Sequence, residues 1–118
     1  MKNKKSTEDI RPWGKYFIID EGSSYKIKRI EVNSQQRLSY QFHNYRAETW
    51  IIIQGKGQVT IEGKKKDCIK GDTIEIPKGR KHRIKNNGDE KLIFIEVQTG
   101  TYFGEDDIVR VEDDYKRV

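Results

Sequence analysis

Both histidines of this 118-residue chain stand at the edges of segments that alternate like strands. The first lies in RLSYQFHNYRAE, residues 37–48, with a glutamate five positions after it; the second closes GDTIEIPKGRKH, residues 71–82. Imidazole, carboxylate and amide oxygen are all competent ligands for Zn, Mn, Ni, Co or Fe, so Gln41, His43, Glu48 and His82 are candidates for part of the coordination sphere of one divalent ion. In an extended strand Arg37, Ser39, Gln41 and His43 share one face. An all-polar face of that kind points either to water or into a polar site, with Gln41 and His43 side by side. Glu48 follows a short connector, and His82 follows a turn of the kind that presents a side chain at a barrel mouth. The competing reading of each histidine is a hydrogen-bonded structural residue, and spacing alone leaves both readings open.

Such ligands need short strands to hold them. A Pro-x-Gly signal at RPWG precedes a predicted strand at residues 16–19, and a turn at EGSS precedes YKIKRIEV. In that segment Ile27 and Arg29 alternate with Lys28, Ile30 and Val32, the pattern of a strand lining a polar cavity. Further strands are predicted at 38–43, 50–54, 58–62, 73–76 and 82–86, with a strand end at 68–69. Gly55-Lys56-Gly57 reads as a tight hairpin turn between two of them, and KKKD after Gly63 as an exposed turn. LIFIEVQ, the most apolar run, is predicted to be the central strand. The acidic tail holds Ile108 and Val109 in a short turn of helix or a strand. Residues 1–10 read as a flexible polar segment and 11–118 as a single domain. No stretch has helical periodicity, and close turn spacing predicts an all-β barrel or sandwich of jelly-roll type.

Composition narrows the function classes. Charged residues make up 36% of the chain and the net charge is +5. No basic stripe runs along a helical face and no aromatic-basic interleaving occurs, which argues for solubility or a small anionic ligand and against nucleic acid. The single cysteine, Cys68, cannot form an internal disulfide and fits a reducing compartment. No apolar h-region follows MKNKKSTED and no run reaches membrane-spanning length, so a cytoplasmic protein without membrane contact is expected.

GDTIEIPKGRKHRIKN is similar to the second motif of the cupin superfamily, with its glycine, Pro-x-Gly, histidine and asparagine. QFHNYRAETWIIIQGKG resembles the first motif, with Gln41 where many cupins have a ligand histidine. More closely, RPWGKY, YKIKRIEV, RLSYQFHNYRAETWIIIQGKGQVTI, IPKGRKHRIKN and IEVQTGTYFGEDDIVRVEDDY look like the cupin domain of type II mannose-6-phosphate isomerases. In bifunctional proteins that domain follows a mannose-1-phosphate guanylyltransferase domain, so here the isomerase half is expected to work alone. The resemblance covers residues 11–115. Departures are Ser34-Gln35 in place of Pro-Gly, Thr49 where a histidine is frequent, and Lys116 in place of glycine.

The resemblance implies a double-stranded β-helix barrel, commonly dimeric, with a metal inside its mouth. It implies Gln41, His43, Glu48 and His82 as ligands of one divalent ion and Arg110 as a catalytic or phosphate-side arginine. The implied reaction interconverts mannose 6-phosphate and fructose 6-phosphate through a cis-enediol. Its base is expected to be Glu96, which alternates with Phe94 and Gln98 in an apolar strand, with Glu105, Asp106, Asp107 or a water on the metal as alternatives. Arg29, Arg37, Lys78, Arg80 and Arg83 are candidates for the phosphate, and strand parity favours Arg29 and Arg37 pointing inward. A non-catalytic sugar or sugar-nucleotide binding cupin, and another cupin sugar isomerase or epimerase, are the competing functions.

Overall fold

The computed structural model describes residues 8–117, so most of the predicted flexible segment, residues 1–7, lies outside the described residues. Eleven strands follow one another: β1 (Glu8–Arg11), β2 (Gly14–Glu21), β3 (Tyr25–Val32), β4 (Tyr40–Phe42), β5 (Arg46–Gln54), β6 (Lys56–Ile61), β7 (Lys64–Ile69), β8 (Thr73–Ile76), β9 (His82–Lys85), β10 (Leu92–Gly100) and β11 (Val109–Glu112). They form a six-stranded sheet in the order β1-β2-β3-β10-β5-β8 and a five-stranded sheet in the order β11-β4-β9-β6-β7. The all-β expectation holds as two facing sheets; neither sheet closes on itself into a barrel.

Alternation decides which side chains meet between the sheets. From the six-stranded sheet come Ile30 and Val32 of β3, Trp50 and Ile52 of β5, and Leu92 and Phe94 of β10. Val59 of β6 and Ile84 of β9 meet them from the other sheet, and all are buried. Each such side chain taken fully out of water contributes about 1.5–3 kcal/mol. LIFIEVQ is the central strand as predicted, paired with β3 on one side and β5 on the other. That register sets Glu96 opposite Lys28 and Trp50.

Three local expectations change, and an alternative is decided for the tail. Glu8 to Ile10 are not frayed, because β1 pairs with β2. Gly55-Lys56-Gly57 is not a hairpin turn: β5 belongs to the six-stranded sheet, whereas β6 pairs with β7 and β9 in the other. The chain changes sheets at Gly55, whose φ is +83° and whose absent Cβ would lie 2.9 Å from the Lys91 carbonyl oxygen. KKKD is strand, not turn, since Lys64 to Asp67 pair with Ile61 to Gln58 and the reversal falls on Glu62-Gly63. Of the two forms expected for the tail the strand is the one present, as β11 beside β4.

Candidate metal centre

His43, Glu48 and His82 come together from three places in the chain, with ligand-competent atoms all within 4.8 Å of one another. Glu48 rises from β5 on the same face as Arg46 and Trp50. Gln41 of β4 lies directly opposite His82 of β9 across the five-stranded sheet, so the two ends of the candidate ligand set are cross-strand neighbours. His43 just follows β4, and its carbonyl accepts a hydrogen bond from Gly79 N at 2.9 Å, which ties the turn preceding His82 to the first histidine.

Each imidazole is oriented by its own backbone partner. His43 Nδ1 lies 2.8 Å from the Asp107 carbonyl oxygen, and His82 Nδ1 lies 2.8 Å from that of Arg80. A carbonyl only accepts, so both Nδ1 atoms carry hydrogen, and each imidazole in its neutral form presents its Nε2 lone pair to the centre. His43 Nε2 is 3.1 Å from Glu48 Oε2, and His82 Nε2 is 3.7 Å from Glu48 Oε1. His82 Nε2 is buried without any hydrogen-bond partner. A buried ring nitrogen without a partner, a second imidazole and a carboxylate fit a divalent cation, which binds such ligands in their deprotonated forms. Gln41 Oε1 accepts from Ser39 Oγ at 2.7 Å and retains a second lone pair.

Electrostatics holds the set in ligand form. Burial pushes the Glu48 carboxyl upward, but without a metal the hydrogen bond of a protonated His43 and the positive charges that His82 and His43 can take up, with that of Arg46, outweigh that and leave it well below the usual carboxylate range. Burial pushes the His82 imidazole down, further than nearby Glu48 can raise it. Arg46 Nε donates to Glu48 Oε2 at 3.0 Å, and Trp50 Nε1 donates to Glu48 Oε1 at 3.0 Å. The same indole N–H reaches Glu96 Oε1 at 3.1 Å, and Gln98 Nε2 donates to Glu96 Oε2 at 2.7 Å. Buried and beside anionic Glu48, the Glu96 carboxyl is pushed up to about 7.

A cavity adjoins the triad between the sheets, lined by Gln41, Arg46 and Glu96 on the triad's side and by Lys28, Glu105 and Arg110 farther out. Arg110 reaches it because β11 sets this residue opposite Gln41. The parity argument for Arg29 and Arg37 does not hold. Arg29 projects outward against Glu31 while Lys28 points in, and Arg37 is held at the surface by Asp114 at 2.7 Å. Lys78 and Arg80 are exposed on the turn before β9. Arg83 is bonded to the Leu38 carbonyl and Glu112, on the face of β9 opposite to its neighbour His82.

Residues overlooked in the sequence have parity as their signal. Arg46 and Trp50 stand two before and two after Glu48 on one strand face, and Lys28 shares parity with the core residues Ile30 and Val32. Asp107, named in the sequence only as an alternative base, supports the site instead: its carboxylate accepts from Asn44 N and Tyr45 N, both at 2.9 Å, while its carbonyl orients His43. Asp106 hydrogen-bonds Tyr102 at the surface. A larger cleft of about 510 Å³ between β7 and β8 contains none of the triad.

Comparison with known proteins agrees with this geometry. The chain is 47% identical over 111 residues to mannose-1-phosphate guanylyltransferase ManC of Salmonella typhimurium, covering 94% of this chain and 23% of that protein. It is 44% identical over 110 residues to alginate biosynthesis protein AlgA of Pseudomonas aeruginosa, covering 93% and 23%. The chain thus spans about a quarter of the length of these relatives. Two solved structures share the fold. The capsular polysaccharide assembling protein CapF of Staphylococcus aureus superposes with a TM-score of 0.82 at 17% identity, over 93% of this chain and 35% of that one. Oxalate decarboxylase of Bacillus subtilis does so at 0.79 and 19%, over 90% and 30%. The family described as mannose-6-phosphate isomerase C-terminal matches residues 1–113. With a two-sheet cupin-like fold and a buried His-Glu-His cluster suited to a divalent ion, the chain belongs to the mannose-6-phosphate isomerase C-terminal family.

Proposed function

We propose that this domain is a metal-dependent aldose-ketose isomerase that interconverts mannose 6-phosphate and fructose 6-phosphate through a cis-enediol. The observation that carries the reading is a buried carboxyl, Glu96, joined through one indole N–H to the carboxylate of a His-Glu-His cluster, beside a cavity lined by cations. His43, Glu48 and His82, with Gln41 as a fourth ligand, would hold the ion. When bound, it supplies Lewis-acid stabilisation of negative charge developing on the substrate's C1 and C2 oxygens.

Glu96 moves the proton between C1 and C2. A carboxyl near 7 is present in both forms at neutral pH, so it can take the proton from one carbon and return it to the other. Gln98 and Trp50 fix its two oxygens, and Arg110 holds the open sugar chain from the far wall. Trp13, Tyr16 and Leu38 form an apolar flank that excludes water.

We place the protein in a reducing, cytoplasmic setting, consistent with its buried, unpaired Cys68; among the described residues no helix is long and apolar enough to cross a membrane. A homodimer is proposed through the outer face of the six-stranded sheet, where exposed Ile51 and Ile53 adjoin Ile95, the cross-strand partner of Ile51.

A coupled assay of the metal-loaded protein on mannose 6-phosphate, with glucose 6-phosphate and a nucleotide sugar as controls, tests the reading. Turnover of mannose 6-phosphate alone is expected. Silence on all three substrates would refute isomerase activity and leave a binding module, and turnover of the nucleotide sugar alone would assign another cupin isomerase or epimerase.

A further inference from the structure

The cleft of about 510 Å³ between β7 and β8 lies where the two sheets part, since β7 is the edge of one and β8 the edge of the other. Its floor is the core itself: Val59 and Cys68 are buried there, and half-buried Ile61 and Ile74 adjoin them. Both ends are closed. At one, Ile69 N donates to Asp72 Oδ2 at 2.8 Å across the turn that joins β7 to β8. At the other, Glu62 N donates to the Lys81 carbonyl at 2.9 Å and Lys81 N donates to Glu62 Oε2 at 2.7 Å, which binds the start of β7 to the turn after β8. Charge is distributed unevenly around the mouth. Lys64 and Lys66 share the parity of Cys68 and stand opposite Ile61 and Val59, so their stems run along the floor and their ammonium groups reach the mouth. Arg80 adds a guanidinium at the Glu62 end. Among the described residues no carboxylate forms a salt bridge with any of the three. The carboxylates of Glu62 and Asp72 are taken up by backbone N–H groups. Strand parity turns Asp67 and Glu75 to the outer faces, beside Gln58 and Thr49.

We infer that this cleft is a second ligand site, separate from the metal centre, for a small amphipathic anion. The apolar body of the ligand lies on Val59, Ile61 and Ile74, and its negative group is held at the mouth by Lys64 and Lys66, with Arg80 beside them. The volume falls in the range of clefts that enclose one small molecule. Apolar burial supplies the attraction, and three cations without carboxylate partners supply the preference for a negative group. The closed ends set the size class. An added β-strand must run on past the strand it pairs with, and here the turn between β7 and β8 and the Glu62–Lys81 pair stop it. The lysines of β7 oppose edge-to-edge pairing with a second copy, which would bring like charges together.

Two probes titrated by fluorescence into the full chain test this: anilinonaphthalene sulfonate, an apolar ring system with one negative group, and its neutral parent phenylnaphthylamine. One sulfonate is expected per chain, bound about tenfold more tightly than the neutral amine. Lys64→Gln combined with Lys66→Gln should lose about tenfold in sulfonate affinity and leave the amine unchanged. Both lysines are exposed, and melting curves report that the double variant keeps the fold. Amide shifts in nuclear magnetic resonance should cluster at Lys64 to Cys68 and Thr73 to Glu75. Shifts centred on His43 and Glu48, or on Ile51 and Ile53 of the outer sheet face, would overturn the site, as would wild-type sulfonate affinity in the folded double variant. Equal affinities for the two probes would refute the anionic ligand. Displacement of the sulfonate by an alternating Glu-Val hexapeptide would assign the cleft to an added strand and sink the small-molecule reading. Absence of sulfonate binding would likewise defeat the proposal, and a fall in mass by light scattering in the double variant would then assign the cleft to a second copy. None of these readouts depends on metal or turnover, so failure of the isomerase reading leaves the inference standing.

Discussion

Replacing Glu96 by Gln should abolish isomerase turnover and also reverse a pH penalty on folding, and the second effect can be measured on metal-free protein. The Glu96 carboxyl, buried and facing anionic Glu48, is pushed from an ordinary 4.5 to about 7. Between those values the folded chain keeps a proton that the unfolded chain has lost. Stability therefore falls as pH rises from about 4.5, and the penalty is complete above about 7. At 1.36 kcal/mol per pH unit, the gap from 4.5 to about 7 amounts to about 3 kcal/mol. Glutamine keeps the shape and still accepts from Trp50 Nε1. Its amide also finds a partner, because Gln98 Oε1 is buried with none and can turn to accept it. In urea denaturation with chelator present, the stability of Glu96→Gln relative to wild type is expected to rise by about 3 kcal/mol between pH 4.5 and 8. Comparison of the two proteins cancels groups that titrate alike in both. Turnover of the metal-loaded variant should fall by about a hundredfold or more, as for loss of a general base. A stability difference flat across that range would refute the raised carboxyl, and full turnover would refute its role as base.

Four other outcomes are expected. His82→Ala should lose metal affinity by calorimetry and turnover together, and complete chelation should silence the wild type; full turnover after complete metal removal would sink the mechanism. Asp107→Ala removes the acceptor of two backbone N–H groups beside His43 and should weaken metal binding about 10–100-fold with little change in fold by circular dichroism, since Asp107 orients a ligand without being one. Gly14→Ala would place a Cβ 2.0 Å from the Glu31 carbonyl oxygen, where only backbone can yield. Chemical denaturation should report a loss of about 2 kcal/mol or more. Ile51→Glu, on the outer face of the six-stranded sheet, should halve the mass seen by light scattering; a monomeric wild type would remove the proposed dimer.

How far the site could be read from the sequence varies residue by residue. His43, Glu48 and His82 were legible because ligand chemistry limits the residue types and the chain contains only two histidines. Parity brought Gln41 and His43 to one face, and the buried position of Glu96 followed from its place in the most apolar run. Parity failed for Arg29, because alternation divides a strand into two faces without saying which one the protein buries. Apolar content leaves that undecided in YKIKRIEV, where Ile27 lies on one face and Ile30 and Val32 on the other. The packing of Ile30 and Val32 against the second sheet settles it and carries Lys28 inward.

By itself the sequence determined the all-β class, most of the strands, the central strand and the types of the metal-binding side chains. These follow from short-range properties: alternation, turn residues and ligand chemistry. Only the tertiary structure decided that the chain changes sheets at Gly55 and that KKKD belongs to strand β7, since a turn signal marks a change of direction but not the partner of the strand that follows. It alone brought Arg11, Arg110 and Arg117 to one cavity from positions about a hundred residues apart. It alone set both histidine Nε2 atoms toward Glu48, because the carbonyls that orient them belong to Asp107 and Arg80, and backbone oxygens leave no mark in a sequence.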